Sequence, residues 1–464
     1  MENKQFRPFG WRDKVGYLLG DFGNDFTFIL STMILMKFYT DVMGVSALAV
    51  GNIMMLARIV DAFTDVAMGR IADAGKTTAA GKYKPWLLRM CVPVAAASFL
   101  MYQSGLAGLS VPVKTAYLAV TYLLWGSFCY TGINIPYGSM ASAISADPGD
   151  RQSLSTFRTM GGMLAGMIIG IGLPLLAYST DAAGNSVLVG SKVTMAAGVF
   201  SVLAILAYLA AYKLLTERVR VETTEEAPQQ QPLGEMLKNA VKNRSLVSII
   251  AASIVMLLAQ LTMQNMASYV YPNYYGSPTA QSASTACMML GMIAAAVLAK
   301  PLCNKFGKAE VSAVSNVLAG IVNLVLFFVR PANVWVYVAF QMVAWLGLGV
   351  FSMVSWALIT DVIDDAEIRN GVREDGSVYA MYSWARKLGQ AASAGLTGWL
   401  LTLIGYTEAT AFDPTVTTGI FNISVLVPVI GFIGLAAILW FWYPLKKKKV
   451  DENVAFLNEK HGRV

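Results

Sequence analysis

The sequence predicts an all-α integral membrane protein with twelve transmembrane helices in two six-helix bundles. Composition is the first reason, since 56% of the 464 residues are hydrophobic and only 14% are charged. The second is that the apolar residues form blocks of about 18 or more, long enough to cross a bilayer as a helix, and not the stripes of a soluble helix. The third is one long polar interruption near the midpoint, at residues 216–244.

The apolar blocks that meet the criterion of about 20 residues are taken here in chain order. In the first half they lie approximately at residues 15–40, 46–73, 84–106, 113–142, 154–178 and 190–215. In the second half they lie approximately at residues 245–271, 282–303, 309–330, 335–363, 377–404 and 418–443. We therefore expect an N-terminal bundle over 1–215, a cytoplasmic linker over 216–244, a C-terminal bundle over 245–445 and a cytoplasmic tail over 446–464.

Lysine and arginine orient these helices, because positive residues accumulate in cytoplasmic loops. Both termini, the linker and alternate loops hold nearly all of them, whereas the intervening connections hold only Lys114, Lys192 and Arg330. An even number of spans with both termini in the cytoplasm satisfies this asymmetry. The net charge of +7 then reflects membrane topology, and no nucleic-acid partner is expected. The polar start of the chain does not resemble a cleaved signal peptide.

Enzyme and metal chemistry have few candidate residues. The four cysteines, Cys91, Cys129, Cys287 and Cys303, lie in or beside apolar blocks without CxxC spacing. The single histidine, His461, lies in the polar tail. No nucleophile with a partner base can be assembled, so we expect neither an enzyme nor a resident cofactor.

The second apolar block carries charged residues at membrane depth, namely Arg58, Asp61 and Asp65. Such groups are costly in lipid, and the usual reason to retain them is an ion or substrate pathway. Because 3.6 residues make one helical turn, the two aspartates share a face with Arg58. Two carboxylates suit Na⁺ or a shared proton. A salt bridge that only ties helices together is the alternative, but one arginine cannot neutralise two acids, and we predict a cation site.

Polar residues in other spans are candidates for substrate recognition. The carboxylate of Asp25 can accept two hydroxyl hydrogen bonds, as sugar recognition requires, although a helix end wetted by the cytosol is an equal alternative. We interpret Asp21, nearer the end of that block, as such a wetted residue. Asn134 in the fourth block offers an uncharged amide.

Basic residues in the spans form a second candidate set. Arg158 and Arg386 occupy matching points of a short internal similarity between the halves, and Lys387 follows directly. They can bind carboxylates or vicinal hydroxyls, or they can snorkel to the interface, as we expect of Lys37 near the end of its span.

Aromatic rings accompany these polar groups, among them Tyr130 and Trp356. The apolar face of a sugar stacks on such rings. Packing inside the bundle and anchoring at the membrane interface are the alternatives.

A series of motifs resembles a known family. GDFGNDF, KFYTDVMG, ARIVDAFTDVAMGRIAD, GKYKPW, NIPYGSM, WALITDVID, GVREDGSVY and RKLGQA, in this order, resemble the glycoside-pentoside-hexuronide:cation symporters, which include the melibiose permeases. The resemblance covers nearly the whole chain. It implies a major-facilitator-type fold in the bacterial cytoplasmic (inner) membrane and uptake of a sugar coupled to Na⁺, Li⁺ or H⁺.

The resemblance also implies roles for individual residues. The cation would be bound at Asp61 and Asp65, and sugar hydroxyls at Asp25 and Arg158. Charged side chains that support the site would be Arg58 and Lys387. We add Arg386, Tyr130 and Trp356 to the substrate candidates.

Two departures from the family pattern bear on specificity. Asn134 replaces an aspartate that touches both cation and sugar in melibiose permeases, which makes proton coupling about as plausible as sodium coupling and keeps Asn134 a candidate in both sites. Gly138 replaces a sugar-stacking tryptophan. LMKFYTDV, WALITD and GVREDGSVY look closer to permeases for glucuronides and sulfonated sugars, and the excess of basic residues fits an anionic substrate.

These observations predict a monomeric sugar:cation symporter that works by alternating access. Its partners would be a sugar or glycoside, a coupling cation and the lipid bilayer. A membrane sugar sensor that does not transport, and a lipid or lysolipid carrier of the same fold, are the alternatives.

Overall fold

The computed structural model describes residues 7–219, 243–370 and 375–460. The helices of the first half are α1 Trp11–Asp41, α2 Ala47–Ala74, α3 Lys84–Leu100, α4 Val111–Ile144, α5 Pro148–Ala177 and α6 Gly190–Leu214. Those of the second half are α7 Arg244–Tyr274, α8 Pro278–Phe306, α9 Lys308–Val329, α10 Val334–Asn370, α11 Asp375–Leu403, α12 Pro414–Trp442 and the shorter α13 Lys447–Lys460. Each of the twelve predicted spans is a helix, so the predicted all-α membrane architecture is confirmed.

Among the described residues, nine helices are long and apolar enough to cross a membrane by length and composition. The other three predicted spans are α1, α3 and α11. α3 has 17 residues, and α1 and α11 carry charged residues of the candidate site. In α1 and α11, charged side chains lower the mean hydropathy of the helix, which is the cost of placing functional groups at membrane depth.

Local sequence explains where several helices begin. Ser46 caps α2 by accepting a hydrogen bond from the Ala49 backbone N–H at 3.3 Å, and Asp147 caps α5 through the Asp150 N–H at 2.9 Å. Proline stands in the first turn of α3, α4, α5, α8 and α12, where its missing N–H costs no helical bond. A hairpin of β1 Tyr178–Thr180 and β2 Ser186–Leu188 joins α5 to α6.

The chain divides into two compact units. The first comprises Met1–Ala227 with Leu401–Phe412, and in it α1 packs mainly against α5 and α6. The second comprises Pro228–Leu400 with Asp413–Val464, and in it α10 packs against α8 and α9 while α12 packs against α7 and α9. Most of the predicted linker lies outside the described residues, because residues 220–242 are not described.

Three helices contain π-helical segments, which widen the helix by one residue per turn. They lie at Leu124–Tyr130 in α4, Val270–Tyr274 in α7 and Ile438–Trp442 in α12. Such segments are often found at functional sites, since they redirect side chains from the regular helical face.

Lys37 does not snorkel, so that expectation was wrong. Its side chain is 1% exposed, and its Nζ lies 2.8 Å from Asp41 Oδ2 and 3.2 Å from the Tyr406 hydroxyl. The Tyr406 hydroxyl donates to Asp41 Oδ1 at 2.8 Å. An acid one turn later and a tyrosine from Leu401–Phe412 supply the partners that make burial of the ammonium tolerable.

Candidate functional site

The two aspartates predicted to bind a cation face two hydroxyl groups. Ser127 Oγ donates to Asp61 Oδ1 at 2.5 Å, and Thr131 Oγ1 donates to Asp65 Oδ1 at 2.6 Å. Ser127 and Thr131 are four residues apart on α4, as Asp61 and Asp65 are on α2. Two carboxylates therefore meet two hydroxyls across a helix–helix contact, and all four groups carry oxygen atoms.

The π-helical segment of α4 brings its backbone close to Asp61. A Cβ built on Gly126 would lie 3.2 Å from both carboxylate oxygens of Asp61. Thr131 Oγ1 also lies 3.1 Å from the Gly126 carbonyl oxygen. A side chain at position 126 would press on the Asp61 carboxylate, because 3.2 Å is tighter than an ordinary Cβ contact.

Arg58 pairs with only one of the two acids. Its Nη1 lies 3.3 Å from Asp61 Oδ2. The guanidinium carbon lies 4.8 Å from the ring centroid of Phe28, 5.5 Å from that of Trp125 and 5.7 Å from that of Tyr122. These three rings attract the Arg58 guanidinium by cation–π interactions. The salt bridge considered from sequence is thus present between Arg58 and Asp61.

Among the described residues, no group of three or more His, Cys, Asp or Glu side chains could hold a metal ion. A hard monovalent cation at Asp61 and Asp65 would therefore have to complete its oxygen shell from Ser127, Thr131, backbone carbonyls or water. The same carboxylates could instead carry a proton.

A second polar cluster surrounds Arg158 on α5. Arg158 Nε donates to Asp21 Oδ1 at 2.9 Å, and Nη2 donates to Asn134 Oδ1 at 3.3 Å. The guanidinium carbon lies 5.2 Å from the Tyr137 ring centroid. The interpretation of Asp21 as a wetted end residue was wrong, because α1 begins at Trp11 and places Asp21 about three turns inside the helix.

Asn134 belongs to this cluster by its contacts. Its Oδ1 also accepts a hydrogen bond from Asn24 Nδ2 at 3.3 Å, and Asn24 in turn accepts one from the Tyr208 hydroxyl at 2.8 Å. Asn134 lies three residues after Thr131, which contacts Asp65. One turn of α4 therefore joins the acidic pair to the Arg158 cluster, and the double role of Asn134 stays a prediction.

Asp25 lies beside Asp21, against the backbone of α5. A Cβ built on Gly162 would collide with Asp25 Oδ2 and would lie 3.3 Å from Asp21 Oδ2. Two carboxylates thus crowd the same glycine, while Arg158 supplies one positive charge. Tyr130 stacks on Phe28 with ring centroids 5.6 Å apart, and Phe28 contacts Arg58.

The remaining predicted residues lie in the second unit. The Arg386 guanidinium lies 5.8 Å from the ring centroids of both Trp356 and Tyr382. Trp356 is 42% exposed and Lys387 is half-buried. Arg386 stands about three turns into α11, the fifth helix of its half, as Arg158 does in α5.

Sequence reasoning missed four residues that the structure brings to the two clusters, namely Asp21, Asn24, Ser127 and Thr131. A signal for two of them existed. Ser127 and Thr131 have the same four-residue spacing as Asp61 and Asp65, and they lie in α4, the helix that also carries Asn134. Which span faces α2 could not be read from spacing.

Comparison with known proteins assigns the family. A profile described as MFS/sugar transport protein matches residues 16–447. The chain belongs to this family of major facilitator transporters. It is 30% identical to the glucuronide carrier protein homolog of Escherichia coli (strain K12) over 97% of this chain and 96% of that protein. It is also 30% identical to the isoprimeverose transporter of Lactiplantibacillus pentosus, over 98% and 92% of the two chains.

A solved structure shares the fold. The xylose transporter XylE from E. coli, in an inward open conformation, superposes with a TM-score of 0.63 at 14% identity, covering 96% of this chain and 98% of that chain. The predicted major-facilitator fold, membership of the sugar-symporter group and multi-pass location in a bacterial inner membrane are confirmed. The chain is a transporter and not an enzyme.

Proposed function

We propose that this transporter takes up an acidic glycoside together with Na⁺ or H⁺. The observation that carries the proposal is the acidic pair, Asp61 and Asp65, which faces the hydroxyls of Ser127 and Thr131 and lies beside Arg58. Two carboxylates and two hydroxyls on facing helices supply the oxygen ligands that a hard monovalent cation prefers, and a carboxylate can take up a proton instead. The likeness to a glucuronide carrier homolog supports an acidic sugar.

Cation binding and sugar binding are linked through α4. A cation at Asp65 removes the repulsion between the two carboxylates and holds Thr131, which donates to Asp65. Asn134, one turn later, then presents its amide beside Arg158. The first ligand thereby organises contacts that the second ligand uses, which is positive cooperativity.

The substrate contacts follow from the chemistry of the second cluster. Arg158 offers a guanidinium fork to a carboxylate or to vicinal hydroxyls, and Asp25 accepts hydroxyl hydrogen bonds. Within the second unit, Arg386 lies beside the exposed ring of Trp356, and these residues with Lys387 stay substrate candidates from the sequence, because a sugar can stack on such a ring.

Coupling follows from buried charge. The carrier without a cation keeps the repulsion between the Asp61 and Asp65 carboxylates at membrane depth, and this repulsion makes a change of conformation costly. Binding of the cation removes that cost and lets the loaded site change its access from one side of the membrane to the other.

The test is transport in proteoliposomes with Asp61→Asn and Asp65→Asn. We expect both variants to lose concentrative uptake of an aryl glucuronide, because no cation binds, while glycoside exchange partly survives. Asp73→Asn, a carboxylate at the end of the same helix, is the matched control and keeps concentrative uptake. Separate Na⁺ and pH gradients identify the cation. Full concentrative uptake in both site variants would contradict the assignment.

A further inference from the structure

Asp21 holds the guanidinium of Arg158, and the transport scheme above gives it no task. We propose that Asp21 is an internal counter-anion, which occupies Arg158 in the empty carrier and is displaced by the acidic group of the substrate. Asp21 is thereby a specificity residue that sets the preference between acidic and neutral glycosides. The inference rests on the proposed function and deepens it.

The Asp21–Arg158 contact has the geometry of a replaceable one. In the part of the chain that the structure describes, Arg158 donates a single hydrogen bond to Asp21, from Nε to Oδ1 at 2.9 Å. A guanidinium binds a carboxylate more strongly when two parallel N–H groups reach its two oxygens. An acidic ligand that binds in this bidentate manner therefore competes favourably with Asp21.

Room for such a ligand lies beside Gly138. A Cβ built on Gly138 would lie 3.5 Å from Arg158 Nη1 and would meet no other heavy atom of the described residues within 4 Å. The Arg158 side chain is 36% exposed, whereas that of Asp21 is 13% exposed. The Arg158 guanidinium is thus accessible at Nη1, while its Nε is hydrogen-bonded to the Asp21 carboxylate.

Displacement of Asp21 changes the charge of the cluster. In the empty site two carboxylates, Asp21 and Asp25, share one guanidinium. With a substrate carboxylate present, three acids surround that guanidinium, so one of the two aspartates takes up a proton from solution. Apart from Arg158, the titratable groups of the described first unit that face the pair are tyrosines, namely Tyr17 on α1, Tyr130 and Tyr137 on α4 and Tyr208 on α6.

The direction of the pH effect follows from this uptake. Binding of an acidic glycoside consumes a proton at the Asp21 and Asp25 pair, so its affinity rises as the pH falls. A neutral glycoside leaves Asp21 on Arg158 and consumes no proton there. The ratio of the two affinities therefore isolates the Asp21 contribution, since protonation of Asp61 and Asp65 affects both glycosides alike.

The experiment measures equilibrium binding of an aryl glucuronide and the matching aryl glucoside to the full-length protein in lipid nanodiscs. In Asp21→Asn we expect glucuronide affinity to rise about tenfold, equivalent to about 1.4 kcal/mol, with glucoside affinity unchanged. Asp21→Glu keeps the anion and keeps the wild-type ratio. Equal changes for both glycosides, or a selective loss of glucuronide binding in Asp21→Asn, would overturn the inference.

A second measurement follows the pH dependence of binding, first in the wild type. In the wild type, the ratio of glucuronide to glucoside affinity should increase as the pH is lowered from about 8 to about 6, and a constant ratio would overturn the inference. In Asp21→Asn the ratio should be flat. Failure of the wild type to bind either glycoside would instead refute the proposed function, and this inference with it; failure of the proposed cation site alone leaves the ratio unaffected.

Discussion

At the scale of single residues, the candidate sites of the first unit are built from pairs of aspartates, each pair with an arginine nearby. Each of the two clusters in the first unit has two aspartates four residues apart and one arginine: Asp61 and Asp65 with Arg58, and Asp21 and Asp25 with Arg158. Two carboxylates held close together at membrane depth repel each other, and this repulsion opposes stability. A cation or a proton bound between them relieves it.

The hydroxyl of Thr131 should matter for the coupling cation. Thr131→Val keeps the side-chain volume but removes the donor to Asp65, and hydrogen bonds to charged groups contribute about 1.5–3 kcal/mol. We expect the cation concentration for half-maximal uptake to rise about tenfold or more. Thr131→Ser, which keeps the hydroxyl, is the control. An unchanged cation requirement in Thr131→Val would remove this residue from the site.

The buried ion pair at the end of α1 should contribute to folding. Asp41→Asn leaves Lys37 buried without its acid, and such single removals cost about 3–5 kcal/mol. We expect a clear drop in the apparent melting temperature of the purified protein. Tyr406→Phe, which removes only one hydroxyl, should cost about 1 kcal/mol. A larger effect of Tyr406→Phe than of Asp41→Asn would contradict this account.

At the scale of elements, the first unit depends on a close contact between α1 and α5. Gly161 on α5 lies against the backbone carbonyl of Leu18, and Gly162 lies against Asp25. Small residues permit such backbone approach in membrane helices. The same contact also places Arg158 of α5 beside Asp21 of α1. The interface between α1 and α5 therefore both stabilises the fold and positions the residues proposed to bind substrate.

This contact can be tested with two glycines of one helix. Gly161→Ala puts a Cβ into the Leu18 carbonyl, and overpacking of this kind costs about 1–3 kcal/mol. Gly172→Ala meets no heavy atom of the described residues within 4 Å and should be neutral or slightly stabilising. Thermal melting of both variants in detergent compares them. Equal melting temperatures would show that α1 and α5 tolerate separation.

At the scale of the whole molecule, the distribution of charge predicts orientation. Lysine and arginine gather in the termini, the linker and alternate loops, which predicts that both termini face the cytoplasm. The family profile and the likeness to solved transporters establish the fold. Orientation across the membrane is a separate property, since a helix bundle has the same internal contacts whichever side its termini face.

Accessibility of terminal tags tests the orientation. If both ends face the cytoplasm, as the charge distribution predicts, an epitope added at either end reacts with an antibody in inverted membrane vesicles and stays unreactive in intact spheroplasts. A tag placed in the β1–β2 hairpin should behave in the opposite way. Reaction of a terminal tag in intact spheroplasts would reverse the predicted topology.

Sequence by itself determined the membrane class, the twelve helices and the acidic pair. These follow from hydropathy over about 20 residues and from a four-residue spacing, which are local properties of one helix. It could not determine which helices face each other. Only the tertiary structure showed that Ser127 and Thr131 contact the acidic pair, that Lys37 is buried against Tyr406, and that Arg158 pairs with Asp21. Each of these contacts joins residues that are far apart in the chain.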